Sequence, residues 1–452
     1  MKKLRKIIIW ILIINFIGPT PFIKASNIEV DYEKKYTTNP WLETAENEQD
    51  IINIAKPTPG GLSVNRFRNY NVDEHGVLLN NSINQGTRLD GKSQYKNPFF
   101  EAREADAILF DVTGKNTSQI NGLTEVFGKK ADFILSNPNG IGVSGGQFIN
   151  INRLMLTTGR AVLEGEKITY KVQKGEISIG EKGLWANHAT YTDLVARSLK
   201  LAGPVYGGEV LRSLMGIQNV YGIGQYYQVI ADIDGSGQPR WGIDATAFGA
   251  QIADSIYLIC TEEGVGVNSK GQLFAQEGKV NIQAKGQINV GTIKSKKEIE
   301  IKGTGDYQQD GTVSSESDIK IDINKDITVS GNIISNKTVH LSSKEGRLVI
   351  GNNKNNHLLY AKEGIKLKSK KDQSITKTNV QSDKEIYYKV GEHILIHQSY
   401  VSAKNVIIQS NEIEIKEGKI EVEKITFKEK ENQPIQSINQ GGQIESTKEV
   451  QY

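Results

Sequence analysis

The chain has 452 residues, of which 24% are charged and 37% hydrophobic, and its formal net charge is +3. Globular domains are about 45–50% apolar, so this composition points to an elongated fold with a narrow core. A near-neutral chain without a basic block offers nucleic acid no electrostatic footing, and a single cysteine, Cys260, excludes an internal disulfide.

The chain opens with Lys2, Lys3, Arg5 and Lys6, followed by an apolar stretch from Ile7 to Ile17 and a small-residue site at Ile23-Lys24-Ala25. This pattern predicts a secretory signal peptide over 1–25. Its apolar core is too short for the roughly 20 residues of a bilayer-spanning helix. Removing it takes five of the 55 basic residues and leaves 50 against 52 acidic ones, so the basic character belongs to the export signal.

A dense block of apolar, β-branched segments follows: Val64 to Val72, Gly76 to Ser82, Ala107 to Val112, Ala131 to Ile141, Phe148 to Asn150 and Leu156 to Gly159. Within it, Asn137-Pro138-Asn139-Gly140-Ile141 predicts a tight turn. The residue before a proline is pushed to extended geometry, Pro138 fixes φ near −65°, and Asn139-Gly140 tolerates positive φ. Asn97-Pro98 begins a similar sequence. Asparagines 116, 121, 137, 139, 150 and 152 read as ladder residues that satisfy backbone groups at corners. From about 161 to 251 the chain carries less regular insertions, such as 203–208 and 235–239, which predict loops or hairpins outside the main architecture. Asp193 to Lys200 could form two helical turns by its spacing, but it is short and is read as strand.

The next segment is periodic. Gly291, Gly311 and Gly331 each open a β-branched run, followed by Ile299-Glu-Ile301, Ile319-Lys-Ile321 and Val339-His-Leu341. The period is 20 residues, with an earlier copy at Gly271 and Val280 and a degraded later one at Val380 and Ile386. Strands this short bury nothing alone, but stacked coil on coil they pair with their equivalents and form a continuous inner column. The fold class predicted is all-β, a right-handed parallel β-helix of about 20 residues per coil, with an N-terminal cap and extra-helical hairpins. About 20 coils would make a rod on the order of 100 Å long. The boundaries expected are a secretion module over 26–265, repeats over 266–427 and a polar tail over 428–452 without fixed structure.

Chemistry is sparse. His393 and His397 share a strand face about 13 Å apart, beyond a common metal. Asp306, Asp310, Asp318, Asp322 and Asp326 read as solvated charge, and no nucleophile, base and orienting group converge. No catalytic residue, metal or cofactor is therefore assigned. Lys366, Lys368, Lys370 and Lys371 read as a charged edge that discourages strand-to-strand aggregation, although they could also meet acidic glycans.

The amino-terminal block, in order and spacing, resembles the secretion domain of filamentous haemagglutinin and other two-partner secretion exoproteins, over roughly residues 40 to 345. Asn137-Pro138-Asn139-Gly140-Ile141 matches the family's NPNGI motif in full, and Asn97-Pro98 matches the first half of its NPNL motif. Val143 and Gly146 stand where some members carry a Cys pair. The resemblance implies a secreted or surface-exposed adhesin, not an enzyme, exported through an outer-membrane TpsB-type barrel transporter with POTRA domains. It further implies a host-cell or bacterial surface receptor or glycan. Two other readings stay open: the stalk of a contact-dependent toxin or haemolysin exported by the same route, and a β-helical polysaccharide-degrading enzyme.

Overall fold

The structure is a computed structural model that describes residues 27–32, 39–165, 167–222, 226–230, 237–428 and 436–451. The expected signal peptide lies outside the described residues. Every regular element among the described residues is a strand. Three ladders of parallel strands wind around one core. The first is a 14-stranded sheet from Ser118–Ile120 to Gln436–Gln440, one strand from each coil. The second runs from Leu62–Tyr70 through Ala107–Val112, Ala131–Ser136 and Ile151–Thr157. The third runs from Asp50–Asn53 through Val77–Asn81, Leu123–Gly128 and Gly146–Ile149. The second and third merge at Tyr400–Gln409, a strand of 10 residues that continues both.

The repeat read from the sequence is the rung of this solenoid. Ile293, Val313 and Ile333 pair in register on the third face. Ile299, Ile319, Val339, Ile365 and Ile386 do so on the second, and all are buried. Alternation along each strand puts these branched side chains inward and the intervening Lys, Glu and Asp outward. There are about 15 turns of roughly 21 residues, fewer than the 20 expected, because the cap and the extra-helical strands consume chain without adding rungs. At about 4.8 Å per rung the rod is roughly 70 Å long. Ile321 lies at the centre of this column, fully buried between Ile301 and Leu341. Ile321→Ala is expected to cost about 2–5 kcal/mol. Because each coil contacts only its neighbours, limited proteolysis should show new cleavage confined to the coils around 303–345.

The amino-terminal end is wide and filled by rings. Phe67, Tyr70, Phe110, Phe133 and Phe148 pack with centroid separations from 4.7 to 6.4 Å. Ile28–Val30 runs antiparallel to Leu62–Tyr70, and Trp41–Thr44 folds back on Asp50–Asn53, which closes this end. The irregular middle region does add an outside structure, an antiparallel sheet of Arg160–Glu164, Lys167–Val172, Gln218–Tyr221 and Tyr226–Val229. It seals a second apolar cluster in which Leu109, Ile134, Met155 and Leu214 from the outer side of the second ladder meet Tyr170, Val172 and Val220.

Two expectations need correction. Residues 203–208 are not an insertion: Val205–Tyr206 pairs with Leu184–Trp185 on one side and Gln251–Ala253 on the other, so this Gly-rich stretch is a compact rung. Among its described residues the polar tail is not structureless either. Gln436–Gln440 and Gln443–Gln451 continue the ladders on Glu412–Lys416 and Lys419–Lys428. The physical reason is that the last coil offers a row of unpaired backbone groups, and parallel pairing to it does not require apolar side chains. The segment Asp193 to Lys200 is strand, as read, split between Tyr191–Ala196 and Ser198–Leu201.

Candidate functional site

The motif Asn137 to Ile141 turns the chain from the second face onto the first, between Ala131–Ser136 and Ile141–Val143. Asn137 is fully buried. Its Oδ1 accepts the Asn139 backbone N–H at 3.0 Å, and the Gly140 N–H donates to the Asn137 carbonyl at 3.1 Å. The Nδ2 group reaches back one coil and donates to the Asn116 carbonyl and to Ser118 Oγ, both at 3.0 Å. One amide thus closes its own turn and fastens it to the coil beneath. The positive φ falls on Gly140 alone, at 122°. A Cβ there would lie 3.1 Å from the Glu176 carbonyl of the next coil.

Asn97 repeats the device. It too is fully buried. Its Oδ1 accepts the Phe99 N–H at 2.9 Å, the Phe100 N–H donates to its carbonyl at 3.1 Å, and its Nδ2 donates to the carbonyls of Ile54 at 2.9 Å and Asn80 at 2.8 Å. The two motifs lie in different coils and do not form one site. Asn139, Asn150 and Asn116 extend the scheme, with Nδ2 donating to the Gly114 carbonyl, to the Val126 and Gly128 carbonyls, and to Asn69 Oδ1 respectively. Asn150 also holds a positive φ of 57°, which asparagine tolerates better than most residues.

With both key asparagines buried, the exposed ground at this corner is formed by the residues around them. Pro138 and Asn139 border a cleft of about 310 Å³ that is also lined by Arg66, Asp111, Arg160 and Lys174. Arg66 and Asp111 lie 3.6 Å apart and are mostly buried, while Arg160 and Lys174 are exposed. The mouth of the cleft is therefore basic. Sequence reasoning missed it because Arg160 and Lys174 belong to the edge and flank of the extra-helical sheet, which no local pattern places beside Pro138.

A second missed feature is buried charge. Asp193 is fully buried. Its carboxylate accepts from Arg153 at 2.6 Å on the coil before and from Arg212 at 2.8–2.9 Å on the coil after. Arg153 also stacks 4.0 Å from the Tyr191 ring. Arg197 and Glu262 form a further buried pair at 3.0 Å. The sequence signal was a lone Asp directly before the apolar run Leu194-Val-Ala196, but its partners are separated from it by whole coils.

The remaining candidates have structural partners. Asp326 binds the Arg347 side chain and backbone N–H, Asp318 accepts from Thr338, and Asp306 accepts the Asp326 N–H. These carboxylates fasten turns between coils, a more specific role than solvated charge. Burial pushes the Cys260 thiol up to about 12, so it stays a protonated core group. Among the described residues no group of three or more His, Cys, Asp or Glu could hold a metal ion.

The family model of the TPS secretion domain matches residues 28–290. The chain belongs to the TPS secretion domain family. The crystal structure of the filamentous haemagglutinin secretion domain superimposes with a TM-score of 0.60 and 31% identity, covering 65% of this chain and 99% of that one. The chain is 38% identical over 266 residues to a toxin CdiA of Yersinia pestis and 35% identical over 267 residues to the filamentous haemagglutinin of Bordetella pertussis. These alignments cover 58% and 57% of this chain but only 8% and 7% of those much longer proteins. The TPS match runs past the boundary expected at residue 265 and takes in the first regular rungs. Within the TPS domain, the two positions occupied by a Cys pair in some members are adjacent here: a Cβ on Gly146 would lie 2.6 Å from Val143 Cγ1.

Proposed function

We propose that this chain is a secreted or surface-exposed exoprotein whose TPS domain is handed to an outer-membrane TpsB-type barrel with POTRA domains, and whose solenoid serves adhesion through its exposed faces. The observation that carries this reading is the family match over residues 28–290, with the Asn137 to Ile141 corner intact. In this reading the buried Asn97 and Asn137, with Pro98, Gly140 and Ile141, build the surface that the transporter reads, and Pro138 and Asn139 form part of that surface. The basic cleft beside Pro138 supplies the contact. A chain without disulfides can cross a narrow barrel unfolded, and stacking of coils outside makes backward slippage unfavourable.

The adhesin reading is non-enzymatic, since the aspartates that would have to converge for polysaccharide cleavage are engaged in separate turns. The stalk of a contact-dependent toxin remains the second reading, favoured by the toxin CdiA relatives. The test is export in a host carrying or lacking the barrel transporter, with wild type and an Arg160→Glu/Lys174→Glu double variant. Wild type should appear outside only with the transporter. The double variant should be exported several-fold less while unfolding at the same urea concentration as wild type. Export without the transporter would overturn the assignment, and normal export of the double variant would remove the cleft from it.

A further inference from the structure

The sequence holds two Asn-Gly pairs, Asn121-Gly122 and Asn139-Gly140. An asparagine side chain is chemically least durable before glycine. With no side chain on the following residue, the next backbone nitrogen is free to approach the asparagine Cγ. The fold nevertheless needs glycine at both places. A Cβ on Gly122 would lie 1.9 Å from the Asp73 carbonyl oxygen, and one on Gly140 would lie 3.1 Å from the Glu176 carbonyl. Gly140 also holds a φ of 122°, which glycine alone adopts at no steric cost.

The two asparagines are held very differently. Asn139 is half-buried, and its Nδ2 donates to the Gly114 carbonyl at 2.9 Å and to Asn137 Oδ1 at 3.2 Å. Its backbone N–H donates to Asn137 Oδ1 at 3.0 Å, and the Gly140 N–H donates to the Asn137 carbonyl at 3.1 Å. The nitrogen that would attack and the amide that would leave are both engaged, so the reaction must wait for the corner to open. Asn121 is exposed, in the corner between Ser118–Ile120 and Leu123–Gly128. Its backbone N–H donates to the Val72 carbonyl at 2.7 Å. Among the described residues neither its side chain nor the Gly122 N–H makes a hydrogen bond.

We propose that both asparagines are sites of spontaneous deamidation, Asn121 in the folded protein and Asn139 only in the unfolded chain, and that the second reaction bars the chain from forming its corner. The glycine backbone nitrogen bonds to the asparagine Cγ, the Cγ–Nδ2 bond breaks, and ammonia leaves with the proton from that nitrogen. Water then opens the cyclic imide at either carbonyl, giving aspartate or isoaspartate. Aspartate at position 139 turns a carboxylate oxygen towards the Gly114 carbonyl and Asn137 Oδ1, two acceptors that the amide had satisfied. A half-buried charge and two acceptors are then left without a donor. Isoaspartate instead lengthens the backbone by one carbon between the Asn139 and Gly140 N–H groups, so the two no longer reach Asn137 together. The time a chain spends unfolded is thus recorded at one residue, in a form that folding rejects. This holds whatever route the chain takes and does not depend on the export reading.

The experiment ages the full chain at one mildly alkaline pH and one temperature, folded in buffer and unfolded in guanidinium chloride, and follows both asparagines by peptide mass spectrometry. In denaturant the two should react at similar rates, since both precede glycine. In the folded protein Asn121 should stay within about tenfold of its denatured rate, while Asn139 should react at least about a hundredfold more slowly than in denaturant, because it waits for local opening. When aged, unfolded chain is diluted from denaturant, molecules converted at Asn139 should remain sensitive to protease, and those converted only at Asn121 should refold. Asn139→Asp should lower the ratio of folded to unfolded chain by about tenfold or more, read from urea unfolding, and Asn121→Asp should leave it unchanged. Equal rates at the two asparagines in the folded protein would overturn the gating. Refolding of Asn139-converted chains as completely as the rest, or an unchanged urea midpoint for Asn139→Asp, would overturn the consequence for folding.

Discussion

Asn137→Ala is expected to lower the stability of the TPS domain by about 2–4 kcal/mol, and Asn97→Ala by a similar amount. In each case a buried amide that makes several hydrogen bonds is lost. Leaving buried donors or acceptors unsatisfied costs about 1–3 kcal/mol each, and both amides are fully buried. Asn137→Asp separates the two halves of the role. It keeps the acceptor for the Asn139 N–H but replaces the two donations to Asn116 and Ser118 with a buried carboxylate, so it should destabilise as much as alanine or more. Urea unfolding of the three variants is the check. If Asn137→Ala left stability unchanged yet abolished export, the asparagine would have to be read directly by the transporter, and the structural account of the motif would be wrong.

The legibility of this chain in its sequence follows the range of the interactions. The rungs at 291–341 are visible because one 20-residue coil repeats its inward Ile and Val at the same offsets, and the parallel register follows from that periodicity. The Asn137 turn is visible because its chemistry is local: proline fixes one dihedral, glycine allows another, and the asparagine bonds two residues ahead. What was not legible depends on coils that are neighbours in space but 20 to 65 residues apart in the chain. The Arg160 and Lys174 cleft and the Arg197–Glu262 pair both arise this way. The tail was misread because its composition was weighed without the open backbone edge of the coil before it. The number of coils was overestimated because length was divided by period, although part of the chain forms the cap and the outside sheet.

Asp193→Ala should be among the most damaging single changes in the molecule, costing about 3–5 kcal/mol, because it removes the buried carboxylate that both guanidinium groups bind. More informative is the replacement of all three members, Arg153→Met/Asp193→Leu/Arg212→Met. Buried ion networks replaced by apolar groups of similar size often leave stability unchanged or higher, so the triple variant should unfold at a urea concentration near that of wild type. The network's contribution then lies in register. Successive coils of a solenoid present nearly equivalent apolar inner faces, and a strand that pairs one coil out of place still buries Leu and Ile. Asp193 is satisfied only when Arg153 lies on the coil before it and Arg212 on the coil after, which penalises every other order of stacking. The triple variant should accordingly refold from urea to a mixture, seen as broadened unfolding transitions and heterogeneous amide exchange in residues 151–215, while wild type refolds to one species. Homogeneous refolding of the triple variant would show that the apolar columns alone fix the order of the coils and that the buried charges serve another purpose.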